Sequence, residues 1–582
     1  MVSTLVKVLR VNLTDKSVKD EALGQKYEKM GGRGLTSNII ADEVDPTCHP
    51  LGPNNKLVFA PGIVTGTKAP SSGRLSVGGK SPLTSGIKES NAGTPFSQAL
   101  ARSGYKALII EGQAGDDSLC YLEITKDGVK LKDASEYKGK STTETVNMLR
   151  EKYTNHDISL VGSAGEEKMA SAGICFNDPE YRASRYSGRG GLGAVMGSKG
   201  LKAIVLERQI GKVEIKDEDR FKLGQKKLVE ALRNHDVTKP GGTLNSYGTA
   251  SLINVLNQAG GLPVRNFSEG TFEGAEKVSG ETIAEEIKKR GGEGMTGHSC
   301  HPGCIIQCSN VWPKEDGSEH TSCIEYESDW SLGPNLGIDN LDDIAEMIDI
   351  CNKVGIDTIE AGVTLGVAME AGLAEFGDSK AAINLLREIE QNTPVGRILG
   401  NGAHFTGQAY GVTRIPTVKK QGMPAYEPRA VKGIGITYST TTMGADHTAG
   451  YTVAPEILSV GGEVDPLSPE DKAELSRAFQ ATTAFVDSSG YCTFITFATS
   501  DDESGLEGMI ETVNGVLNTD YTAEEAVKEG EKILRVEKEF NEKAGLNKYD
   551  DRPPEFMRYE KLPPHNHTFD VTDEELDKVW DF

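Results

Sequence analysis

"YRASRYSGRGGLGAVMGSKGLKAIV", residues 181–205, carries six glycines between 188 and 200 and then runs into an apolar, strand-like segment. Its Gly191-x-Gly193-x3-Gly197 spacing is not the Gly-x-Gly-x2-Gly of a dinucleotide-binding turn. Gly-Ser-Lys at 197–199 does not match the phosphate loop of nucleotide hydrolases. Small residues still let backbone N–H groups approach an anion, and Arg182, Arg185 and Arg189 supply positive charge. Arg182, Gly191 and Gly193 are therefore candidate cofactor contacts. Two stretches of the same texture lie upstream, "APSSGRLSVGGKSPLTSGIKESNAGTPF" at 69–96 and "EKMGGRGL" at 28–35. Three such loops in one region point to one large bound cofactor.

Around these loops the chain reads as strands. "VKVLRVNLTDKSVK" and "LCYLEITKDGVKLK" read as hairpins, the second turning at Asp127-Gly128. "KLVFAPG", "YKALIIEG", "ISLVGSAG" and "LKAIVLE" end in glycine or turn residues. From about residue 216 helical periodicity takes over, as in 340–353, 357–373, 468–486 and 522–543, with the Asp-rich 339–343 as a helix cap. No tandem repeat is evident. Prolines at 553, 554, 563 and 564 suggest a tail that wraps the surface. The expected class is α+β, with a sheet-rich base over 1–208 and mainly helical domains over 209–418 and 419–582.

A chain of 582 residues exceeds one hydrophobic core. Its formal charge of −23, with no Lys/Arg-rich run, argues against nucleic acid as a partner. No apolar run reaches the ~20 residues of a membrane span. The N-terminus alternates like a strand and does not resemble a secretion signal, so a cytoplasmic protein is expected. Nine cysteines, an odd number, do not make a disulfide framework in such a setting.

Three cysteines cluster in "HSCHPGCIIQC", 298–308, at Cys300, Cys304 and Cys308. Pro302-Gly303 makes a loop or first helical turn, and Cys304 and Cys308 would share one face of a helix. Three converging thiolates suit a metal. Zinc with His298 or His301 as fourth ligand is one reading, although structural zinc takes tighter, paired Cys spacings. A [4Fe–4S] cluster with a distant fourth cysteine is another, and Cys492 in "FVDSSGYCTF" is the best-placed candidate. A radical S-adenosylmethionine site would want a shorter second gap.

In order along the chain, "GGRGL", "SGR…KSPLTSG…SNAG", "SGRGGLGAVMGSKGLKAI", the cysteine run, "EYES", "VGIDTIEAG", "MGADHTAG" and "DSSGYC" resemble the tungsten-dependent aldehyde:ferredoxin oxidoreductase family over nearly the full length. The resemblance implies a bis-molybdopterin tungsten cofactor on a β-rich base, covered by two helical domains. It implies a Mg²⁺ between the pterin phosphates, bound by the backbone carbonyls of Asn91 and Ala183. Arg74 matches an arginine between cluster and pterin. "NKVGID", 352–357, and "DSSGYC", 487–492, match the pterin-binding motifs, bringing Asn352, Asp357, Asp487 and Tyr491 to the cofactor and Cys492 to the cluster. The first cysteine gap is one residue longer than in the family, Asn352 stands where Asp is usual, and Glu346-Met347-Ile348-Asp349 lacks the histidine of the family's interfacial metal site.

The same resemblance implies oxidation of aldehydes to carboxylic acids with water. Glu327, with Glu325 as its near alternative, and His447 are the expected active-site pair. Electrons would leave through one [4Fe–4S] cluster to ferredoxin or a polyferredoxin-type iron–sulfur subunit, since the other five cysteines show no cluster spacing. Two other readings remain: a bis-pterin reductase of an aromatic-ring thioester, as in benzoyl-CoA reduction, and a non-catalytic iron–sulfur electron-transfer subunit.

Overall fold

The computed structural model describes residues 7–115, 118–208 and 211–581. Its first two hundred residues build two six-stranded sheets. In the first, the alternating KVLRVN of Lys7–Asn12 pairs antiparallel with Ser17–Ala22. After helix Gly32–Glu43 come the antiparallel strands Leu57–Pro61, Arg74–Lys80 and Ile87–Gly93. Helix Pro95–Arg102 then returns the chain to Tyr105–Glu111. That strand inserts between Leu57–Pro61 and Lys7–Asn12, parallel to the latter.

The second sheet follows the same path. The hairpin Cys120–Thr125/Gly128–Asp133 turns at Lys126-Asp127, one residue before the expected Asp127-Gly128, helix Thr142–Lys152 follows, and His156–Leu160, Ile174–Asn177 and Ala183–Ser187 run antiparallel. After helix Leu192–Ser198, strand Leu201–Glu207 inserts parallel to Cys120–Thr125 and antiparallel to His156–Leu160. The sequence shows no repeat, yet the topology occurs twice. Alternating apolar residues specify a strand but not its partner, so a connectivity can recur without residue-level similarity.

The period of two also explains the layers. Leu9, Val11, Leu57, Phe59, Leu108 and Ile110 of the first sheet share one buried core with Leu122, Ile124, Ile204 and Leu206 of the second. The intervening Val8, Val58, Ala60 and Ile109 turn to Leu35, Ile39 and Ile40 of helix Gly32–Glu43. Phe96 and Phe176 close the seam with ring centroids 5.5 Å apart. Each large side chain buried this way contributes roughly 1.5–3 kcal/mol.

Beyond residue 216 the chain is largely helical. Asn340, inside the Asp-rich stretch, caps Leu341–Val354 by accepting from the backbone N–H groups of Asp342 and Asp343. Asp357 caps Thr358–Glu370. Lys472–Ser489 and Ala523–Lys543 occupy the other expected segments. Helices Glu218–Asn234 and Glu503–Leu517 cross backbone to backbone. A Cβ on Gly224 would sit 2.7 Å from the Gly508 carbonyl oxygen, and the reverse distance is also 2.7 Å. Two cores interleave along the sequence. Phe221, Leu228 and Leu232 pack with residues such as Phe485 and Val513, while Tyr426, Ile434 and Tyr438 pack with Trp312, Trp330 and the tail's Phe556 and Phe569. The tail thus contributes to a core as well as crossing the surface. No helix among the described residues is long and apolar enough to cross a membrane.

Candidate active site

The cysteine run joins strands Met295–His298 and Ser309–Pro313, and residues between them are loop, not helix. Gly303 at φ +89° and Gln307 at φ +50° break the helical path that the four-residue spacing of Cys304 and Cys308 suggests. The loop is pinned from the first sheet: Gln98 donates to the Pro302 carbonyl (2.8 Å), the Ser71 amide to the Gly303 carbonyl (3.0 Å), and the Ile305 amide to Ser71 Oγ (3.2 Å). The Cys492 amide donates to the Ser71 carbonyl at 2.9 Å. Ser71, in "APSSGR", therefore holds both cysteine-bearing segments, a role that nothing in its sequence context signals.

Cys300, Cys304, Cys308 and Cys492 all line one cavity. A hydrogen bond from Cys304, aided by His301, holds Cys300 well below the ordinary thiol range. Burial pushes Cys308 well above it and Cys492 up to about 11. Desolvated thiols that face one cavity call for cationic charge. Single-ion zinc fits poorly. Both nitrogens of His301 are engaged, Nε2 by the Gly73 amide at 3.0 Å and Nδ1 by Cys300 Sγ at 3.1 Å. His298 faces Glu180 at 2.7 Å and Arg185 at 3.1 Å. Thiolates on one zinc lie about 4 Å apart. Among the described residues, the one group of ligating atoms mutually within 4.8 Å is instead Asp178, Glu180 and His298. Arg182 already balances that group, 3.2 Å from Asp178 and 3.3 Å from Glu180. The wider cysteine set suits a multi-iron cluster.

The cavity holds about 350 Å³ and is lined from both sheets and from the helical region. Arg74, Asn91, Asn352, Asp357, Asp487, Glu327 and His447 all border it. Arg74 donates through Nε to Asn91 Oδ1, and Cys492 and Cys300 keep it charged against the cost of burial. Gly93 makes this contact possible: a Cβ there would lie 2.7 Å from Cys300 Sγ and 2.8 Å from Arg74 Nη1. Burial, with Glu89 close by, raises Asp487 to about 8. Ser184 Oγ, Arg185 Nε, Glu327 Oε1 and His447 Nδ1 are buried polar atoms without hydrogen-bond partners in the protein, on residues that border the same space. A large, flat, polar cofactor would meet such groups.

Arg189, which the sequence marks only as available charge, ties the site together. It donates to the Ala445 carbonyl at 2.6 Å, the Gly422 carbonyl at 2.5 Å and Asp357 at 3.2 Å. The first contact anchors the loop that carries His447. Against burial, Lys88 and Arg189 pull Asp446 down to about 2. His447 Nδ1 lies 3.4 Å from Glu327 Oε1. Burial raises Glu327 to about 8 and lowers His447 to about 4. Near neutral pH the pair is an uncharged acid facing an uncharged imidazole. Glu325 instead accepts from Cys323 Sγ (3.0 Å) and lies 3.5 Å from Arg185.

Five sequence candidates do not line this cavity. Arg182 is spent on Asp178, Glu180 and, at 2.8 Å, Glu319, while Arg185 and Arg189 reach inward. Gly191 and Gly193 serve the helix Leu192–Ser198: a Cβ on Gly191 would sit 2.4 Å from the Ala170 carbonyl oxygen, and one on Gly193 2.2 Å from that of Gly173. Their smallness brings backbone to backbone. The Ala183 side chain joins the tyrosine-rich core behind the second sheet, though its neighbour Ser184 borders the cavity. Tyr491 is buried with its hydroxyl 2.5 Å from Thr512 Oγ1. Glu346, of the helix lacking the family histidine, pairs with His320 (3.3 Å) and Arg387 (3.1 Å).

The family models for aldehyde ferredoxin oxidoreductase match this chain over residues 8–208, as the N-terminal domain, and over 224–582, as domains 2 and 3. The chain belongs to the aldehyde ferredoxin oxidoreductase family. Tungsten-containing aldehyde ferredoxin oxidoreductases from Pyrococcus horikoshii and Pyrococcus furiosus are each 37% identical to it, the alignments covering 96% of this chain and 92% of theirs. The WOR-like subunit of an aliphatic sulfonate oxidoreductase from P. furiosus is 27% identical, over 96% of this chain and 90% of its own. Among solved structures, the active-site complex BamBC of benzoyl coenzyme A reductase with 1,5-dienoyl-CoA superposes with a TM-score of 0.79 at 19% identity, covering 99% of this chain and 93% of that one. The α+β architecture is thus that of the family, and the protein is an oxidoreductase.

Proposed function

We propose that this oxidoreductase converts aldehydes to carboxylic acids with water. The carrying observation is the Glu327–His447 pair, placed where the thiol-lined cavity meets a second, apolar one of about 330 Å³ that both residues also border. The residues fit the cofactors of the tungsten-containing relatives. Cys300, Cys304, Cys308 and Cys492 would hold a [4Fe–4S] cluster, while Asn352, Asp357 and Asp487 offer hydrogen-bond partners to the nitrogens of a bis-pterin. When bound, a bis-pterin tungsten centre supplies two-electron redox chemistry and the cluster a one-electron relay. Asn91 and the backbone at Ala183 would take the Mg²⁺. Arg74, beside Cys300 and Cys492, would favour the more negative, reduced cluster.

The chain's own part is proton handling and exclusion of water. Glu327, held protonated by burial, donates a hydrogen bond to the aldehyde oxygen. Neutral His447 takes a proton from the water that adds. Lys88, Arg189 and Asp446 fix the loop that carries the imidazole. Electrons leave to ferredoxin or an iron–sulfur subunit, because the remaining cysteines stand apart along the chain.

Reduction of an aromatic-ring thioester is less well supported. Coenzyme A carries phosphates, and no lysine or arginine is among the residues of the apolar cavity. A purely electron-transferring subunit would not need that cavity. The test is elemental analysis of anaerobically purified protein with a viologen-linked aldehyde assay. Tungsten, about four irons per chain and turnover are expected; iron without tungsten or molybdenum would overturn the reading.

A further inference from the structure

We propose that Glu281, with Glu325, makes the apolar cavity a charge filter that admits neutral, ring-bearing aldehydes and expels carboxylates, the reaction product included. The proposal rests on the aldehyde reading for its substrate class, but its physical core is the cavity lining. Tyr326, Tyr426, Tyr451, Phe494 and Phe497 provide the walls. The Tyr426 and Tyr451 rings lie 5.5 Å apart and Phe494 stacks on Phe497 at 6.0 Å. Such surfaces receive flat apolar groups.

The charges on this lining have one sign. Glu281, Glu325 and Glu327 border the cavity with no lysine or arginine. Glu327 is the protonated acid of the pair. Glu325 is partly balanced by Arg185 at 3.5 Å, a residue of the other cavity. Glu281 is not balanced in this way. It stands in the first turn of helix Gly280–Arg290, held by Asn254 Nδ2 at 3.3 Å, and makes no ion pair among the described residues. There it masks the positive end of the helix dipole that would otherwise attract an anion. An incoming carboxylate meets like charge on this apolar lining. Oxidation turns a neutral aldehyde into an anion, so the same field that rejects anionic substrates favours release of the product.

The test compares benzamide with its near-isostere benzoate by calorimetry on the intact protein, at pH 7.5 and low salt, and benzaldehyde with 4-carboxybenzaldehyde in the viologen assay. Benzamide is expected to bind about tenfold more tightly than benzoate, and benzaldehyde to show the higher kcat/KM by a similar factor, mainly through KM. Glu281→Gln should narrow both ratios about threefold through the anion, and raising the ionic strength should narrow them in the wild-type protein. Equal binding of benzoate and benzamide, or ratios indifferent to both salt and Glu281→Gln, overturns the filter. If no aldehyde is oxidised, the functional reading falls, while the benzamide-to-benzoate ratio still decides the filter.

Discussion

Glu327 and His447 face each other at 3.4 Å with opposite displacements of acidity, and both displacements have one cause, burial. A carboxyl that ionises only near pH 8 remains a donor at neutral pH. With Glu327 as the donor, kcat should fall as pH rises through about 8, and that limb should be missing from the pH profile of Glu327→Gln. The variant should keep its metals and lose about 10²–10⁴ in kcat; undiminished turnover would remove Glu327 from the mechanism. The same shift bears on stability. Its folded value exceeds the ordinary 4.5, so the stabilising contribution of Glu327 is complete below pH 4.5 and is lost as pH climbs to about 8. These two residues are visible in the sequence only through family resemblance. The burial that displaces their acidities is not.

At the level of elements, the glycines divide into two kinds. Gly93 ends strand Ile87–Gly93 at the point where Cys300 and Arg74 converge. Gly93→Ala should lower iron content while leaving the circular dichroism of the protein unchanged, since the added methyl meets side chains at one thiol. Gly197 belongs to the loop that first suggested a cofactor, yet its Cβ would lie 1.8 Å from the Gly165 carbonyl oxygen. Gly197→Ala should therefore cost stability, roughly 1–3 kcal/mol or more, read as a lower denaturation midpoint. Its effect on metal content should follow from unfolding alone. Sequence texture does not separate the two kinds, because a glycine that admits a ligand and one that admits another backbone have the same composition around them. Likewise the four-residue spacing of Cys304 and Cys308 is helical on paper, while Gly303 and Gln307 at positive φ make it a loop.

Across the whole molecule, the cavity of about 350 Å³ lies between the sheet base and the helical region, with charged and thiol groups bordering it. With the proposed cofactors bound, contacts from both parts would meet on one group. Removing iron and tungsten under denaturant-free conditions should lower the melting temperature by roughly 5 °C or more, measured by calorimetry against the loaded protein. An unchanged melting temperature would mean that the two parts are held by their own apolar cores.

Legible in the amino-acid order alone are the class of elements, the order of sheet base and helices, the family, and the cysteines, carboxylates and histidine that line the cavity. These follow from local patterns: alternation, helical periodicity, the Asp-rich cap at 339–343, and motif order. It took the folded chain to reveal that the base is one topology laid down twice, that Ser71 and Arg189 hold the cysteine and histidine loops, and that Gly191, Gly193, Arg182 and Tyr491 serve packing or ion pairs instead of bordering the cavity. Those outcomes depend on which side of each residue meets which distant segment, and on the burial that results, quantities that no local run of residues encodes.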